Sequence, residues 1–309
     1  MDFLVNWISN IPGFAVPFAL ASLGLILTEK SGVLSLGAEG FMLMGAMAGV
    51  GAVIVIGEPH VALVVAALAT AVTSLIFAGL VVALRVNQVI AGLAMVFLCQ
   101  GLTSLIGAEE GWTSRAIVGL GILPIWPLSE IPVIGRIFFR QDIVVYLTVP
   151  IFFAVQWMLT RTETGLKLRA VGENPEAADS SGVNVSLYRT GAIFCGAALV
   201  GLAGGYLSVA VARIWVDGMA GGRGWIAIAL VIFARWHPWR ALLGAVIFGG
   251  IEALIPRVAA VGIQVPQYFM LMTPYVATLL VMVWAALYGN TRLDEPGALG
   301  RPHVREERR

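Results

Sequence analysis

Long apolar stretches, separated by short polar segments, run through almost the whole of this 309-residue chain. A helix needs about 20 mainly apolar residues to cross a bilayer, and fewer where protein shields it. The stretches that meet this requirement are residues 11–27, 38–56, 61–83, 87–107, 142–160, 190–211, 222–234, 241–256 and 267–288. The pattern predicts an all-α polytopic membrane protein with about nine (8–10) transmembrane helices.

Two glycine-rich interruptions lie within this apolar pattern, one in each half of the chain. The first runs from Ser31 to Gly40 and the second from Asp217 to Gly224. A broken membrane helix exposes backbone groups, which are tolerated only beside protein or a water-filled cavity. Some helices, including the short 222–234 stretch, are therefore predicted to be broken or re-entrant.

Glycines also recur at a spacing that favours close helix packing. Gly45 and Gly49 are four residues apart, as are Gly201 and Gly205. On a helix this spacing aligns two small residues on one face, where a neighbouring backbone can approach closely. We interpret these glycines as packing positions.

The composition agrees with a membrane protein and bounds the number of domains. Hydrophobic residues make up 59% of the chain, charged residues 12%, and the mean hydropathy is +0.90. We predict one transmembrane domain over residues 1–290, with a long polar loop at 161–189. Residues 291–309 are charged and contain Pro and Gly, so we expect a disordered tail.

The basic residues predict an orientation. If nine spans alternate, thirteen of the 19 Lys and Arg residues fall on the side of the 161–189 loop and six on the other side. The positive-inside rule then places that loop and the C-terminus in the cytoplasm and the N-terminus outside. We expect a multi-pass protein of a bacterial-type plasma (inner) membrane.

Several chemistries are missing from the sequence. No Gly-x-x-x-x-Gly-Lys-Ser/Thr phosphate-binding loop occurs, so ATP hydrolysis by that route is excluded. The net charge of +1 and the lack of an aromatic-basic patch give no sign of nucleic-acid binding. Cys99 and Cys195 both fall in apolar spans, so neither a disulfide nor a metal site is indicated. We predict no catalytic residue, metal ligand or bound cofactor.

Polar and ionisable residues inside or beside the spans are candidates for a solute pathway, because they are costly in lipid. The candidates are Glu29, Ser31, Gly32, Glu39, Gly40, Asn87, Gln88, Gln100 and Arg223. Gln100 and Thr103 have a spacing that predicts one shared helix face. Such uncharged groups suit a neutral solute that forms hydrogen bonds.

Structural roles are alternatives for three of these candidates. Glu29 could form a solvated pair with the adjacent Lys30. Glu39 could accept hydrogen bonds from the backbone that a broken helix frees. Arg223 could extend to the membrane interface, as long basic side chains often do.

A short polar segment, residues 172–185, carries a local helix signal between two apolar spans. Asn174 is a good N-cap, Pro175 suits the first helical position and Gly182 is a stop signal. Two turns are too few to be stable alone, so this helix must pack against something. We expect Ala177 and Ala178 to offer a surface to a partner. An ordinary connecting loop is the alternative that spacing alone leaves open.

The segment reads Gly-x-Asn-Pro-x-Ala-Ala-x-x-x-Gly-Val-Asn-Val. It resembles the cytoplasmic coupling loop of permease subunits in ATP-binding-cassette importers for branched-chain amino acids, ribose-type sugars and nucleosides. Residues 28–46 are similar to the Glu-Arg-Ser-Gly-Val-Ile-Asn-Ile-Gly-x-Glu-Gly run of the nucleoside and simple-sugar branch. Residues 86–94 and 222–233 also resemble that branch. The sequence departs from it at residues 96–98, where Val-Phe-Leu stands in place of an Asn-Leu-Leu pattern.

The resemblance implies a permease subunit with no enzymatic activity and no bound cofactor of its own. ATP would be hydrolysed by a partner ATPase subunit, a second and paralogous permease subunit would complete the pathway, and an extracytoplasmic binding protein would deliver the solute. A nucleoside or simple sugar is the implied solute. The implied ATPase-coupling helix comprises Glu173, Asn174, Pro175, Ala177, Ala178 and Gly182. The alternative is an ion-gradient-driven secondary transporter or channel, which needs a mid-membrane acidic or histidine relay.

Overall fold

The chain folds into a bundle of helices. The structure, a computed structural model, describes residues 2–260 and 295–302, together with positions 272, 276, 279, 280 and 283. The helices of residues 2–260 are α1 (Asp2–Glu29), α2 (Ala38–Ile56), α3 (Pro59–Ala78), α4 (Gln88–Glu109), α5 (Ile134–Phe138), α6 (Ile143–Arg161), α7 (Glu163–Glu173), α8 (Pro175–Ser180), α9 (Val185–Tyr206), α10 (Arg223–Ala234) and α11 (Pro238–Ala260).

Short elements complete the described part of the chain. The π-helical segments Gly79–Ala83 and Leu207–Ala212 extend α3 and α9. Strands β1 (Leu123–Pro124) and β2 (Arg140–Gln141) form an antiparallel pair of two residues each. A 3-10 turn, Leu128–Glu130, lies between them in sequence.

The all-α polytopic prediction is confirmed. Among the described residues, seven helices are long and apolar enough to cross a membrane. These are α1, α2, α3, α4, α6, α9 and α11. The predicted 222–234 span is the shorter helix α10, which has 12 residues. The predicted span 267–288 lies outside the continuously described residues.

Three helices, α1, α2 and α9, form the centre of the bundle. Helix α9 packs against α1, α2 and α3, and α1 also packs against α10 and α11. Helices α4 and α6 are at the periphery, where only a minority of each helix is buried. An exposed apolar surface is expected of a protein whose solvent is lipid.

Glycines allow the central helices to approach backbone to backbone, as the spacing predicts. A Cβ atom on Gly45 would lie 2.1 Å from the carbonyl oxygen of Gly201, and one on Gly49 would lie 3.2 Å from the Cα of Gly205. The two predicted pairs therefore pack against each other. A Cβ atom on Gly24 of α1 would lie 2.3 Å from the oxygen of Gly196 on α9. No larger residue fits at Gly24 or Gly45 without moving a helix.

A pair of substitutions in α9 tests this packing. A Cβ atom on Gly204 would lie 2.0 Å from the oxygen of Met42, whereas nothing lies within 4 Å of one on Gly191. We expect Gly204→Ala to destabilise the protein by about 1–3 kcal/mol or more, because the backbone of α2 must shift. Gly191→Ala should be neutral or stabilising, because alanine favours a helix by about 1 kcal/mol over glycine. Thermal unfolding in lipid nanodiscs measures both, and equal unfolding temperatures would contradict the packing role.

The polar loop 161–189 lies at one end of the bundle, which we call the α8 end. It contains α7 and α8, and it contacts the turn that follows α1: a Cβ atom on Gly172 would lie 2.2 Å from the oxygen of Lys30. Helix α7 begins at the cap Thr162, whose hydroxyl accepts a hydrogen bond from the backbone N–H of Gly165 at 3.1 Å. The ends of α1 and α7 are therefore joined directly at the α8 end.

The prediction of a disordered tail is wrong for residues 295–302. Pro296 and Ala298 are buried against the α8 end, and the backbone N–H of Ala298 donates to the oxygen of Gly172 at 2.9 Å. Burial of two small apolar residues, together with backbone hydrogen bonds, orders a stretch whose composition alone favours disorder. Residues 303–309 lie outside the described part of the chain.

Candidate functional site

The two glycine-rich interruptions meet in the structure at Glu39. This residue lies in the first turn of α2 and is only 8% exposed. Its Oε1 accepts the backbone N–H of Gly222 at 2.7 Å, and its Oε2 accepts that of Gly224 at 2.8 Å. The carboxylate of Glu39, in the first interruption, therefore caps α10, the helix that follows the second interruption. This is the structural role that the sequence analysis gave as the alternative for Glu39.

This contact explains why the second interruption contains glycine. Gly222 has a φ of +86°, which places it in the left-handed region. A Cβ atom on Gly224 would lie 2.4 Å from the backbone nitrogen of Glu39. The first N–H groups of a helix have no partner within it, and they attract negative charge. The Glu39 carboxylate supplies α10 with both a hydrogen-bond acceptor for these N–H groups and a negative charge.

Helix α10 runs from this cap to the α8 end. Its 12 residues have a length of about 18 Å, compared with a bilayer hydrocarbon core of about 30 Å. Residues 213–222 precede it without helical structure, and Trp215 and Ala220 within them are fully buried. The segment 213–234 is therefore a broken membrane element, as the interrupted pattern predicts.

Arg223 is held by partners inside the bundle. Its Nε and Nη2 donate to Oε2 of Glu252 on α11, at 3.2 and 3.1 Å, and its Nη1 donates to the backbone oxygens of Met219 and Ala220. The ion pair is partly buried, since the two side chains are 22% and 12% exposed. Arg223 therefore ties α10 to α11, and its guanidinium is held by these partners.

The end of α1 is held in a similar way. Glu29 is 1% exposed, and its Oε2 accepts a hydrogen bond from the indole Nε1 of Trp236 at 2.5 Å. The solvated pair with Lys30 is therefore wrong for Glu29. The Ser31 hydroxyl donates to the oxygen of Thr28 at 2.6 Å, and Gly32 turns the chain at a φ of +83°.

Two polar residues organise the start of α4. Asn87 is exposed, and its Oδ1 accepts the backbone N–H groups of Val89 and Ile90 as a helix cap. Gln88 is buried, and its Oε1 accepts the N–H of Leu34 in the first interruption at 2.7 Å. Asn87 therefore fixes the backbone at the start of α4, and Gln88 fixes the backbone of the first interruption.

Gln100 differs from the other candidates because its side chain is exposed on α4. Thr103 is buried, and its hydroxyl donates to the backbone oxygen of Gln100 at 3.1 Å. The two residues are about 60° apart around the helix axis, and the boundary between the exposed and the packed surface of α4 runs between them. The prediction that the two side chains share a face is therefore wrong.

The structure separates the nine pathway candidates into groups. Glu29, Ser31 and Gly32 lie near the α8 end, where Gly32 adjoins Gly172. Glu39, Gly40 and Arg223 lie at the start of α10, and a Cβ atom on Gly40 would lie 2.8 Å from the Cα of Val96 on α4. Asn87 and Gln88 begin α4, and Gln100 lies farther along it. They are not gathered around one point.

The predicted short helix is present as α8. Asn174 caps it, with Oδ1 accepting the N–H of Ala177 at 3.0 Å, and Pro175 is its first residue. The helix ends at Ser180, and Gly182 follows with a φ of +84°. The local helix prediction for this segment is confirmed.

Ala177 and Ala178 have opposite environments, although we expected one surface. Ala177 is exposed, as are Glu173, Asn174 and Gly182. Ala178 is 4% exposed and packs with Val171 of α7 and Val185 of α9. The Ala178 methyl group holds α8 in place, and only Ala177 is available to a partner.

Helix α7 adds charged groups to the same end. Lys167 Nζ lies 2.6 Å from Oε1 of Glu163, one turn earlier. The hydrogen bond from Lys167 lowers the pKa of Glu163, and the same bond raises the pKa of Lys167. An exposed pair of this kind contributes little to stability. The α8 end therefore presents both signs of charge to solvent.

Several contacts escaped the sequence analysis. The partners of Glu39 and Glu29 are 183 to 207 residues away, and no local signal identifies them. Tyr206 donates its hydroxyl to Asp142 at 2.6 Å, which joins α9 to the cap of α6. Within the described residues, no cluster of three His, Cys, Asp or Glu side chains could hold a metal ion.

Comparison with known proteins gives the family. The family model described as branched-chain amino acid transport system, permease component, matches residues 7–289. A Haloferax volcanii protein, provisionally named a glucose ABC transporter permease protein, is 36% identical over 99% of both chains. The guanosine ABC transporter permease protein of Bacillus subtilis is 32% identical over 96% of this chain and 95% of its own.

A third relative and the solved structures complete the comparison. The nucleoside ABC transporter permease protein of Lactococcus lactis is 30% identical over 89% of this chain and 90% of its own. No solved structure shows significant similarity. The family model covers nearly all of the transmembrane bundle, and the chain belongs to the permease-component family of branched-chain amino acid transport systems.

Proposed function

We propose that this permease forms half of the translocation pathway of an ATP-binding-cassette importer for a small neutral polar solute, a nucleoside or simple sugar. A second, paralogous permease subunit forms the other half, and an extracytoplasmic binding protein delivers the solute. Two ATPase subunits supply the energy, because this sequence has no phosphate-binding loop. The names of the glucose, guanosine and nucleoside relatives support this solute class.

The observation that carries the proposal is the arrangement of α8. This two-turn helix presents Glu176 and Ala177 to solvent, while Ala178 anchors it against α7 and α9. A helix held on one side and exposed on the other suits a docking element. In this proposal an ATPase contacts the exposed side, and the anchored side passes the displacement to α9, which packs against α1, α2 and α3.

The exposed face of α4 supports a pathway between two permeases. Exposed positions on α3, such as Val64, Leu68 and Val72, are apolar and suit lipid. On α4, Gln100 is exposed about halfway along the helix. An unpaired amide in an apolar environment costs about 1–3 kcal/mol, so Gln100 itself suits a polar neighbour better than lipid, although the exposed Phe97 and Leu98 beside it are apolar. We assign Gln100 to the pathway.

Orientation follows from the same proposal. The α8 end faces the cytoplasm, where ATPases reach it, and the N-terminus lies outside. The excess of basic residues on the side of the 161–189 loop supports this assignment. The alternative, a gradient-driven carrier, needs a titratable relay within the membrane, but Glu39 holds two backbone N–H groups and Glu252 pairs with Arg223.

The proposal predicts ATPase activity that depends on the solute. The permease is purified with its co-expressed ATPase, second permease and binding protein, and reconstituted in lipid. We expect guanosine or glucose, added with the binding protein, to stimulate ATP hydrolysis and to accumulate in proteoliposomes. Leucine serves as the control solute. If leucine stimulates ATP hydrolysis and guanosine and glucose do not, the solute is an amino acid and the proposed solute class is wrong. If no ATPase associates with the permease, the proposal of an ATP-binding-cassette importer is wrong.

A further inference from the structure

Residues 295–302, which we call the C-terminal strap, are joined to three separate parts of the α8 end. The N–H of Ala298 donates to the oxygen of Gly172 at 2.9 Å, and the N–H of Gly300 donates to the oxygen of Gly32 at 3.2 Å. The N–H of Gly297 also donates to Oε2 of Glu173 at 3.2 Å. The strap thus contacts α7 and the turn after α1.

The third part is Arg189, a buried cation near the start of α9. Its side chain is 2% exposed, and Nη1 donates to the backbone oxygen of Arg301 in the strap at 3.2 Å. Its Nε and Nη2 have no hydrogen-bond partner among the residues that the structure describes. A buried charge is costly unless it is hydrogen-bonded, so the strap carbonyl is an important partner of this guanidinium.

The strap, the turn and the loop are in close contact. A Cβ atom on Gly32 would lie 3.2 Å from Nη2 of Arg189, 3.3 Å from the Cα of Gly172 and 3.4 Å from the oxygen of Ala298. All four residues therefore meet around one point. Displacement of any of them disturbs the other three, because close-packed interiors transmit strain.

The positions of the strap's partners connect α8 to the broken helices. Gly172 and Glu173 immediately precede Asn174, the cap of α8. Gly32 lies in the non-helical segment 30–37 that leads to Glu39, and Glu39 caps α10. A chain of direct contacts therefore runs from α8 through the strap to the cap of α10.

We propose that the C-terminal strap and Arg189 are positioning elements that transmit the displacement of α8 to the interrupted helices, so that ATP hydrolysis stays coupled to transport. This inference rests on the proposed function. The ATPase moves α8, the strap and Arg189 keep the end of α7 fixed to the turn after α1, and the segment holding Glu39 follows. Without the strap, α8 still docks, but only the direct contact between Gly172 and the turn after α1 is left to carry its movement to that turn.

Two variants remove the strap contacts to different extents. Ala298→Pro lacks the N–H that binds Gly172, and a chain ending at residue 294 lacks the whole strap. Arg301→Ala is the matched control, because its side chain is exposed and only its backbone oxygen contacts Arg189. Each variant is reconstituted with its ATPase, second permease and binding protein, and the solute transported per ATP hydrolysed is measured for the assembled complex.

We expect ATP hydrolysis to continue in both strap variants while the solute transported per ATP falls about tenfold, a usual size for a coupling effect between sites. Arg301→Ala should match the wild type. An unchanged ratio in the strap variants overturns the inference, even if less complex assembles, because the strap would then act only on stability. Failure of the wild-type assembly to couple uptake to ATP would instead reject the proposed function.

Discussion

Glu39→Ala should abolish most transport by this permease and lower its thermal stability. The variant loses two hydrogen bonds from the backbone of α10 to a carboxylate, each of which contributes about 1.5–3 kcal/mol. It also leaves the N–H groups of the half-buried Gly222 and the buried Gly224 without this acceptor. Since about 1.4 kcal/mol changes an equilibrium tenfold, we expect uptake below roughly a tenth of wild type. Uptake into proteoliposomes and unfolding in nanodiscs measure the two effects.

Two further variants separate the cap from the charge of Glu39. Glu39→Gln keeps the length of the side chain but replaces one acceptor oxygen with a donor, so we expect an intermediate loss of stability. Glu58→Gln is the matched control, because Glu58 is exposed and makes no side-chain cap bond to α3. If Glu39→Ala unfolds and transports like Glu58→Gln, the cap has no role in holding α10.

Ala177→Asp should block coupling while leaving the permease inserted and folded. Ala177 is exposed at the third position of α8, and an acidic residue in the first turn of a helix is favourable. The added carboxylate would be buried unpaired when an ATPase docks, at a cost of about 3–5 kcal/mol. We expect uptake and solute-stimulated ATP hydrolysis to fall at least about tenfold, since 1.4 kcal/mol corresponds to that factor.

The neighbouring alanines provide the controls for this experiment. Ala170→Asp adds the same charge to an exposed position on α7 and should transport normally. Ala178→Asp places a carboxylate between Val171 and Val185, so it should destabilise the loop itself. ATPase co-purification and a protease test of the loop distinguish the two outcomes. Normal uptake by Ala177→Asp would remove α8 as the coupling element.

Local features of this fold were predictable because their causes are local. The membrane spans follow from continuous apolar runs, and α8 follows from three residues, Asn174, Pro175 and Gly182, whose preferences act within one or two turns. The packing role of the glycines on α2 and on α9 follows from their four-residue spacing. In each case the residues that determine the feature lie within a few positions of each other.

The roles of the polar residues were less predictable because their partners are distant in sequence. Glu39 and Gly222 are 183 residues apart, so no window of sequence connects them. Ala177 and Ala178 are adjacent, yet the 100° between them on a helix decides which is buried. That choice depends on Val171 and Val185, which belong to two other helices. The candidate residues were recognisable, but their contacts were not.

During synthesis, the glycine face of α9 reaches the membrane long after the helices that it joins. Thr28 of α1 contacts Ala192, and Gly45 of α2 meets Gly201, so these partners are separated by about half of the chain. At about 5–20 residues per second, α1 and α2 wait on the order of ten seconds for α9. For that time their small-residue faces are open to other helices. A chaperone or insertase that covers these faces would therefore act before residue 201 emerges.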